Sequence, residues 1–255
     1  MTDVKTSVER QFSEAAANYR TSAVHAKGED LDRMVHVARL NGSERVLDAG
    51  CGAGHTALAF APHVAHVVAY DLSPAMLEQV EALAAERGVR NVEVRQGDVE
   101  NLPFEDNAFD RVVSRYSAHH WPHPAAALRE FHRVVKPGGQ FILSDIVAPE
   151  APTLDTFLQA IELLRDPSHV RDHSAGQWTT MLREAGFEAE VAFTWALPLN
   201  FNDWVARIGT PALYIEALRA LFDGAPSEVR EAMDIQADYT FTIPGALLVA
   251  HKPTG

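Results

Sequence analysis

The chain has one cysteine, Cys51, so no internal disulfide can staple it. It is short of positive charge: 22 Lys and Arg stand against 35 Asp and Glu, for a formal net charge of -13. That balance repels a phosphate backbone, and no Lys/Arg cluster interrupts it, so nucleic acid is not an expected partner. Long hydrophobic runs are missing as well. No stretch reaches the roughly 20 apolar residues of a membrane span, and no apolar signal core is visible. The expectation is a cytoplasmic protein that does not engage a membrane. Internal repeats and low-complexity segments are absent. What remains is ordinary: 47% hydrophobic and 22% charged residues over a length of 255, enough for one sizeable core.

The informative stretch is Val46-Leu47-Asp48-Ala49-Gly50-Cys51-Gly52-Ala53-Gly54-His55. A short apolar strand ends in an acid, glycines follow at every second position, and a helical pattern begins at Thr56. So tight a strand-to-helix turn needs residues without Cβ, which also lets backbone crowd a ligand. About twenty residues on, His66-Val67-Val68-Ala69-Tyr70 reads as a second strand ending in Asp71, where an acid can hold both hydroxyls of a ribose. Together they describe a nucleoside-type cofactor over the first strands of a doubly wound sheet. The dinucleotide fingerprint is G-x-G-x-x-G; here the spacing is G-x-G-x-G, preceded by Asp48. An anion there opposes a pyrophosphate and suits a ligand with a cationic end.

This run resembles motif I of the class I S-adenosylmethionine-dependent methyltransferases. Three further segments resemble that family in the same order: Gly97-Asp98-Val99 after a strand over Val92–Gln96, the strand-like Phe109–Arg115, and Arg133-Val134-Val135-Lys136-Pro137-Gly138-Gly139 before a fifth strand. The likeness is to the UbiE-type branch and, through Arg165-Asp166-Pro167-Ser168-His169-Val170-Arg171, most of all to its YcgJ-like members. It implies an α/β fold, a doubly wound, mostly parallel, seven-stranded Rossmann-like sheet with an N-terminal helical lid and helical cap insertions. It also implies S-adenosyl-L-methionine as cofactor. The matched segments and their neighbours assign Tyr19, Asp48, Gly50, Cys51, Gly52, Gly54, Asp71, Leu72, Met76, Gly97, Asp98, Val99 and Arg115 to cofactor binding, with Asp98 reading the adenine.

The whole chain, 1–255, reads as one domain: a helical lid over 1–42, a cofactor-binding core over 43–150, and the remaining strands with cap insertions over 151–255. Apolar stripes and stop signals predict helices over Val8–Tyr19, His25–Leu40, Pro124–Val135, Leu154–Leu164, Gln177–Ala185, Phe201–Phe222 and Ser227–Ala237. Ser73-Pro74 opens another, with an N-cap and a first-turn proline. Strands are expected over Gly139–Val147, Glu188–Trp195 and Ala246–His251, the last inserted antiparallel beside the fifth as in the family. The helices of 151–187 and 199–240 form the expected cap. The stripe Phe12, Ala16, Tyr19 would serve a lid or a plain packing helix alike.

Displacement at a methyl carbon needs alignment and exclusion of water more than covalent help, so no catalytic residue is obligatory. The candidates are His119 and His120, in the loop after the fourth strand where open sheets bind ligands, and Asp145 at the end of the fifth. Either histidine could act as base or merely orient. His123 stands near, yet loop adjacency does not make a metal site, and no metal is expected. His169, Arg171 and Trp178 are the candidate substrate contacts, the first two from a polar turn over 166–173 that would serve as a second lid element. A solvated turn and an aromatic cap core would explain the same residues. The expected activity is C- or O-methylation of a small, partly apolar molecule. The tetrapeptide of base-amino methyltransferases and the paired glutamates of arginine methyltransferases are both missing. A non-catalytic cofactor-binding or regulatory protein is the alternative; a nicotinamide-dependent oxidoreductase is disfavoured by Asp48 and the loop spacing. A homodimer is left open.

Overall fold

The structure is a computed structural model describing residues 3–20 and 27–254, with the side chain of Asn18 outside the description. One sheet has the strand order β3-β2-β1-β4-β5-β7-β6. Strands β1 (Arg45–Ala49), β2 (His66–Asp71), β3 (Val92–Gln96), β4 (Phe109–Arg115) and β5 (Val135–Ile146) are parallel. β7 (Phe241–His251) lies antiparallel between β5 and β6 (Glu188–Leu199). The expected seven-stranded sheet with its inserted last strand is therefore present. Strand order reverses between β2-β1 and β4, which opens a crevice at the carboxyl ends of β1 and β4.

The two faces of the sheet sort by side-chain alternation. Leu47, Ala49, Val68, Tyr70 and Val112 face a core with Leu128 and Phe131 of α5 (Pro124–Val134) and Trp178 and Leu182 of α7 (Ala175–Glu184). Val46, Val67, Ala69 and Val113 face the opposite core with Met34 of α2 (Glu29–Val37), Phe60 of α3 (His55–Phe60) and Val80 of α4 (Pro74–Glu86). Apolar on both sides, these strands show no polar alternation in the sequence.

A third core forms the cap. Leu158 and Ile161 of α6 (Pro152–Arg165) pack with Trp204 and Val205 of α8 (Phe201–Ile208), Leu218 and Phe222 of α9 (Ala212–Asp223) and Val229 of α10 (Ser227–Ala232). The cap is thus α6 and α8–α10. The 175–184 helix expected to join it instead covers the sheet, because Trp178 and Leu182 are buried beside Phe131 and Phe141. The single helix expected over 201–222 is two, since Gly209 takes the left-handed conformation (φ 78°) and Pro211 follows. β6 and β7 run longer than their sequence patterns, to Leu199 and from Phe241. α1 (Val4–Arg20) extends the expected first helix by one turn; the His25 start expected for the second lies outside the described residues.

Candidate active site

The glycine loop leaves β1 with Gly50, Gly52 and Gly54 at φ of 72°, 50° and 87°, the region L side chains avoid. A Cβ at Gly50 would also collide with Ser117 Oγ, so the loop lies hard against the segment after β4. Asp71 fixes the loop from β2: its Oδ2 accepts the Gly52 N–H at 2.8 Å and its Oδ1 the Ser73 N–H at 2.9 Å. Burial raises the Asp71 pKa, opposed by those two N–H donors. The second oxygen lone pairs stay available to hydroxyls.

Beside this loop opens a cleft of about 960 Å³. Gly50, Cys51, Gly52, Asp71, Leu72, Met76, Gly97, Asp98, Val99, Arg115 and Tyr19, named above as cofactor candidates, all line it. Asp48 and Gly54 do not; they underlie it. Asp48 is fully buried and neither of its carboxylate oxygens has a hydrogen-bond partner. Burial, with the nearby Asp71 charge adding to it, pushes its pKa up to about 7. An orphaned buried acid of this kind favours a cation close to it. Arg115 is already engaged: its guanidinium grips Asp30 of α2 through Nε and Nη2, the latter at 3.0 Å, and Ser144 Oγ donates to the same carboxylate at 3.0 Å. Arg115 therefore anchors α2 as well as lining the cleft.

α1 lies across the cleft. Phe12, Ala16 and Tyr19 pack on Ala53 and Met76. Lys5 pairs with both Asp98 and Glu100, Ser13 meets Ser73 through their hydroxyls at 3.0 Å, and Gln11 Nε2 donates to the Ile208 carbonyl at 2.8 Å. One helix thus touches both the sheet rim and the cap. The stripe read from sequence covers the site and packs at once.

A second cavity of about 520 Å³ adjoins the cleft, and Phe12, Tyr19, Tyr116 and His120 line both. Its apolar wall includes Ile146, Leu199, Trp204 and Ile243; its polar wall is His119, Glu162, Arg165, Asp172 and Arg207. His119 Nδ1 lies 2.8 Å from Asp145 Oδ1, and Asp145 Oδ2 accepts the Ala118 N–H at 2.8 Å. Burial opposes a charge on His119, but the Asp145 carboxylate, with Asp172 and Glu162, outweighs it and raises the ring to about 9. His120 goes the other way. Burial and the charge on His119 push it down to about 4. Its Nδ1 is 3.1 Å from the Ser168 carbonyl, which can only accept, so Nδ1 carries the proton and Nε2 the lone pair.

A family profile described as "Methyltransferase domain" matches residues 47–143. The uncharacterized protein YafE of Escherichia coli is 45% identical over 203 residues, covering 80% of this chain and 98% of that protein. The uncharacterized methyltransferase YcgJ of Bacillus subtilis is 41% identical over 227 residues, 89% of this chain and 90% of that one. The chain belongs to the class I S-adenosylmethionine-dependent methyltransferases. The crystal structure of YcgJ superposes with a TM-score of 0.85 at 38% identity, covering 89% of this chain and 99% of that one. The UbiE C-methyltransferase of ubiquinone and menaquinone biosynthesis from Coxiella burnetii is 32% identical over 170 residues, 62% of this chain and 67% of that protein.

The methyltransferase cleft fits its cofactor. Asp71 and Asp98 line it with carboxylates and Leu72, Met76 and Val99 with apolar walls, while the buried acid of Asp48 lies beneath its glycine loop. Three sequence candidates are corrected. Trp178 is 1% exposed in the sheet core, edge-on to Trp121 and His173, and lines neither cavity. Arg171 reaches outward to Asp155 at 2.7 Å. His169 stands behind His119 and donates through Nε2 to Gln159 Oε1 at 3.1 Å. The 166–173 turn is no exposed lid either. Asp166, Ser168, His169 and Asp172 are buried, and the Val170 and Arg171 N–H groups donate to the His119 carbonyl at 2.9 and 3.1 Å. Methyltransferase residues the sequence reading passed over are Tyr116, Glu162, Arg165 and Arg207 in the second cavity and Lys5 at the cleft rim. Tyr116 carries φ 51°, unusual for an aromatic residue, at the mouth of both cavities.

Proposed function

We propose that this methyltransferase acts on a small, partly apolar molecule held in the second cavity, with carbon or oxygen as the methyl acceptor, and that the whole chain serves this one site as a single domain. The continuity of the two cavities across Phe12, Tyr19, Tyr116 and His120 carries the reading. An acceptor in the second cavity meets the cofactor cleft at that junction, under α1 and away from bulk water. The mixed wall, apolar on one side and charged on the other, suits a compact molecule. The UbiE relative, a C-methyltransferase by name, supports a carbon acceptor for this chain as well.

Bound S-adenosylmethionine supplies an electrophilic methyl carried on a sulfonium. Residues Asp48, Asp71, Asp98 and the Gly50–Gly54 loop bind it in this reading, and Arg115 holds α2 in place beside it. His120, neutral and with Nε2 unprotonated, is the candidate base where the acceptor must lose a proton. Asp145 orients His119 and the 118–120 turn rather than meeting substrate. The test is incubation of the purified protein with S-adenosylmethionine and a metabolite extract, followed by mass spectrometry. A small molecule one methyl group heavier, formed together with S-adenosylhomocysteine, is the expected result. Methyl groups appearing only on protein or nucleic acid overturn the reading.

A further inference from the structure

On the polar wall of the second cavity each cation has an acid beside it, and one acid is left over. Resting on the reading above, we propose that this acid, Asp172, holds a cationic nitrogen of the acceptor, an ammonium or amidinium, and so turns the other end of the molecule toward the cofactor cleft.

His119 Nδ1 sits on Asp145 Oδ1 at 2.8 Å. Arg165 of α6 faces Glu162 one turn earlier, with Nη1 3.6 Å from Oε2, and its Nε donates to the Trp204 carbonyl at 3.1 Å. Arg207 of α8 has the charges of Glu162 and Asp203 near it. Arg171, next to Asp172 in the chain, turns away to Asp155 at 2.7 Å. Asp172 lines the cavity, is 2% exposed, and its Oδ2 has no hydrogen-bond partner. His169 does not supply one: its Nε2 lies 3.9 Å from that oxygen and donates to Gln159 Oε1 at 3.1 Å instead.

The orphaned oxygen is also held in place. The Asp172 N–H donates to Gln159 Oε1 at 3.1 Å and its carbonyl accepts from Gln159 Nε2 at 2.8 Å, so α6 clamps the backbone on both sides of the side chain. A buried acceptor fixed without a donor calls for one, and a cation supplies the proton and the charge together. Burial raises the Asp172 pKa, with the His119 charge opposing and Glu162 adding to it; a cation against the carboxylate offsets that penalty.

Position carries the rest. Asp172 and Glu162 line the second cavity alone, whereas Phe12, Tyr19, Tyr116 and His120 line both. The charged nitrogen is therefore anchored away from the junction where the methyl group arrives. It orients the acceptor and leaves a carbon or oxygen to be methylated.

The full chain loaded with S-adenosylhomocysteine is titrated by calorimetry at neutral pH with benzylamine, benzyl alcohol and benzoate, which share a ring and differ in charge. Benzylamine is expected to bind about tenfold or more tightly than benzyl alcohol, with benzoate weaker still. Asp172→Asn is expected to erase the preference while S-adenosylhomocysteine affinity, the check that the variant folds, stays as in wild type. Benzylamine no tighter than benzyl alcohol overturns the proposal, as does benzoate ahead of benzylamine or a preference that survives in Asp172→Asn. Nitrogen-15 NMR with labelled benzylamine needs no variant: bound to wild type, the amine should keep its proton to higher pH than it does free, and an unmoved or lowered midpoint overturns the proposal. Benzyl alcohol or benzoate bound without an amine preference sinks this proposal and leaves the small-molecule reading standing; S-adenosylhomocysteine bound with none of the three tells against both.

Discussion

His119 makes folding stability depend on pH in a way that can be worked out beforehand. Its pKa rises from 6.5 in a free chain to about 9 in the fold, because the Asp145 pair outweighs the cost of burial. A group whose folded pKa is raised contributes stability fully below its unfolded pKa and loses it as pH climbs through the folded one. The window is therefore from about 6.5 to about 9. At about 1.4 kcal/mol per pH unit the whole contribution is roughly 3 kcal/mol, slightly less because the side chain is 15% exposed. His120 and His169 act in the opposite sense. Their folded pKa values fall to about 4 and about 2, so their neutral rings cost stability as pH drops below 6.5. On the acid side these costs are opposed by the raised carboxyls of Asp48, Asp71, Glu162 and Asp172, whose protonation in the fold is favoured, so the His119 loss on the alkaline side is the one that stands clear. Urea denaturation of wild type and His119→Gln at about pH 6 and about pH 10 tests the first term together with the neighbours whose titration the His119 charge shifts. The wild-type advantage should shrink by roughly 2–3 kcal/mol between the two, and Asp145→Asn should flatten the profile similarly. A difference between wild type and His119→Gln that stays constant over that range would falsify the charged dyad.

Asp71→Ala should weaken S-adenosylmethionine binding by roughly 2–3 kcal/mol, as expected for unpairing hydrogen bonds to a charged group; unchanged affinity by calorimetry removes Asp71 from the ribose site. Gly50→Ala forces a Cβ into Ser117 at a positive φ, so it should cost about 1–3 kcal/mol of stability and depress cofactor affinity; a melting point equal to wild type contradicts the packed loop. Trp178→Ala should cost about 3–5 kcal/mol while cofactor affinity per folded molecule holds, and a selective loss of affinity would return Trp178 to the site. Amide exchange should slow over residues 10–20 when S-adenosylhomocysteine binds and change little over 166–174, where the chain is already buried and hydrogen-bonded; protection appearing only in 166–174 would reverse the assignment of the lid.

What could be read from the chain alone was local. The glycine run, Asp71 at a strand end and Gly97-Asp98-Val99 each occupy a few consecutive residues whose geometry follows from their own backbone, and the structure brings all of them to one cleft. The second cavity was illegible because its polar wall is assembled across the sheet, α6 and α8. Glu162 and Arg165 look like an ordinary solvated helix pair at three-residue spacing, yet the fold buries both, with Arg165 Nε donating to the Trp204 carbonyl of α8. Trp178 failed for the opposite reason: its helix faces the sheet, and no residue near it in sequence says so. The polar density of 166–173 was real but pointed inward, toward the His119 carbonyl rather than toward water. The break of the 201–222 helix was signalled by Gly209-Thr210-Pro211 and needed only to be taken at face value.

Because α1 contributes Phe12 and Tyr19 to both cavities and fastens to Asp98, Glu100 and the Ile208 carbonyl, the two compartments share one wall. A displacement of α1 that uncovered the donor side would uncover the acceptor side as well. Loading and emptying of the two occupants would then be coupled through the seventeen residues of α1.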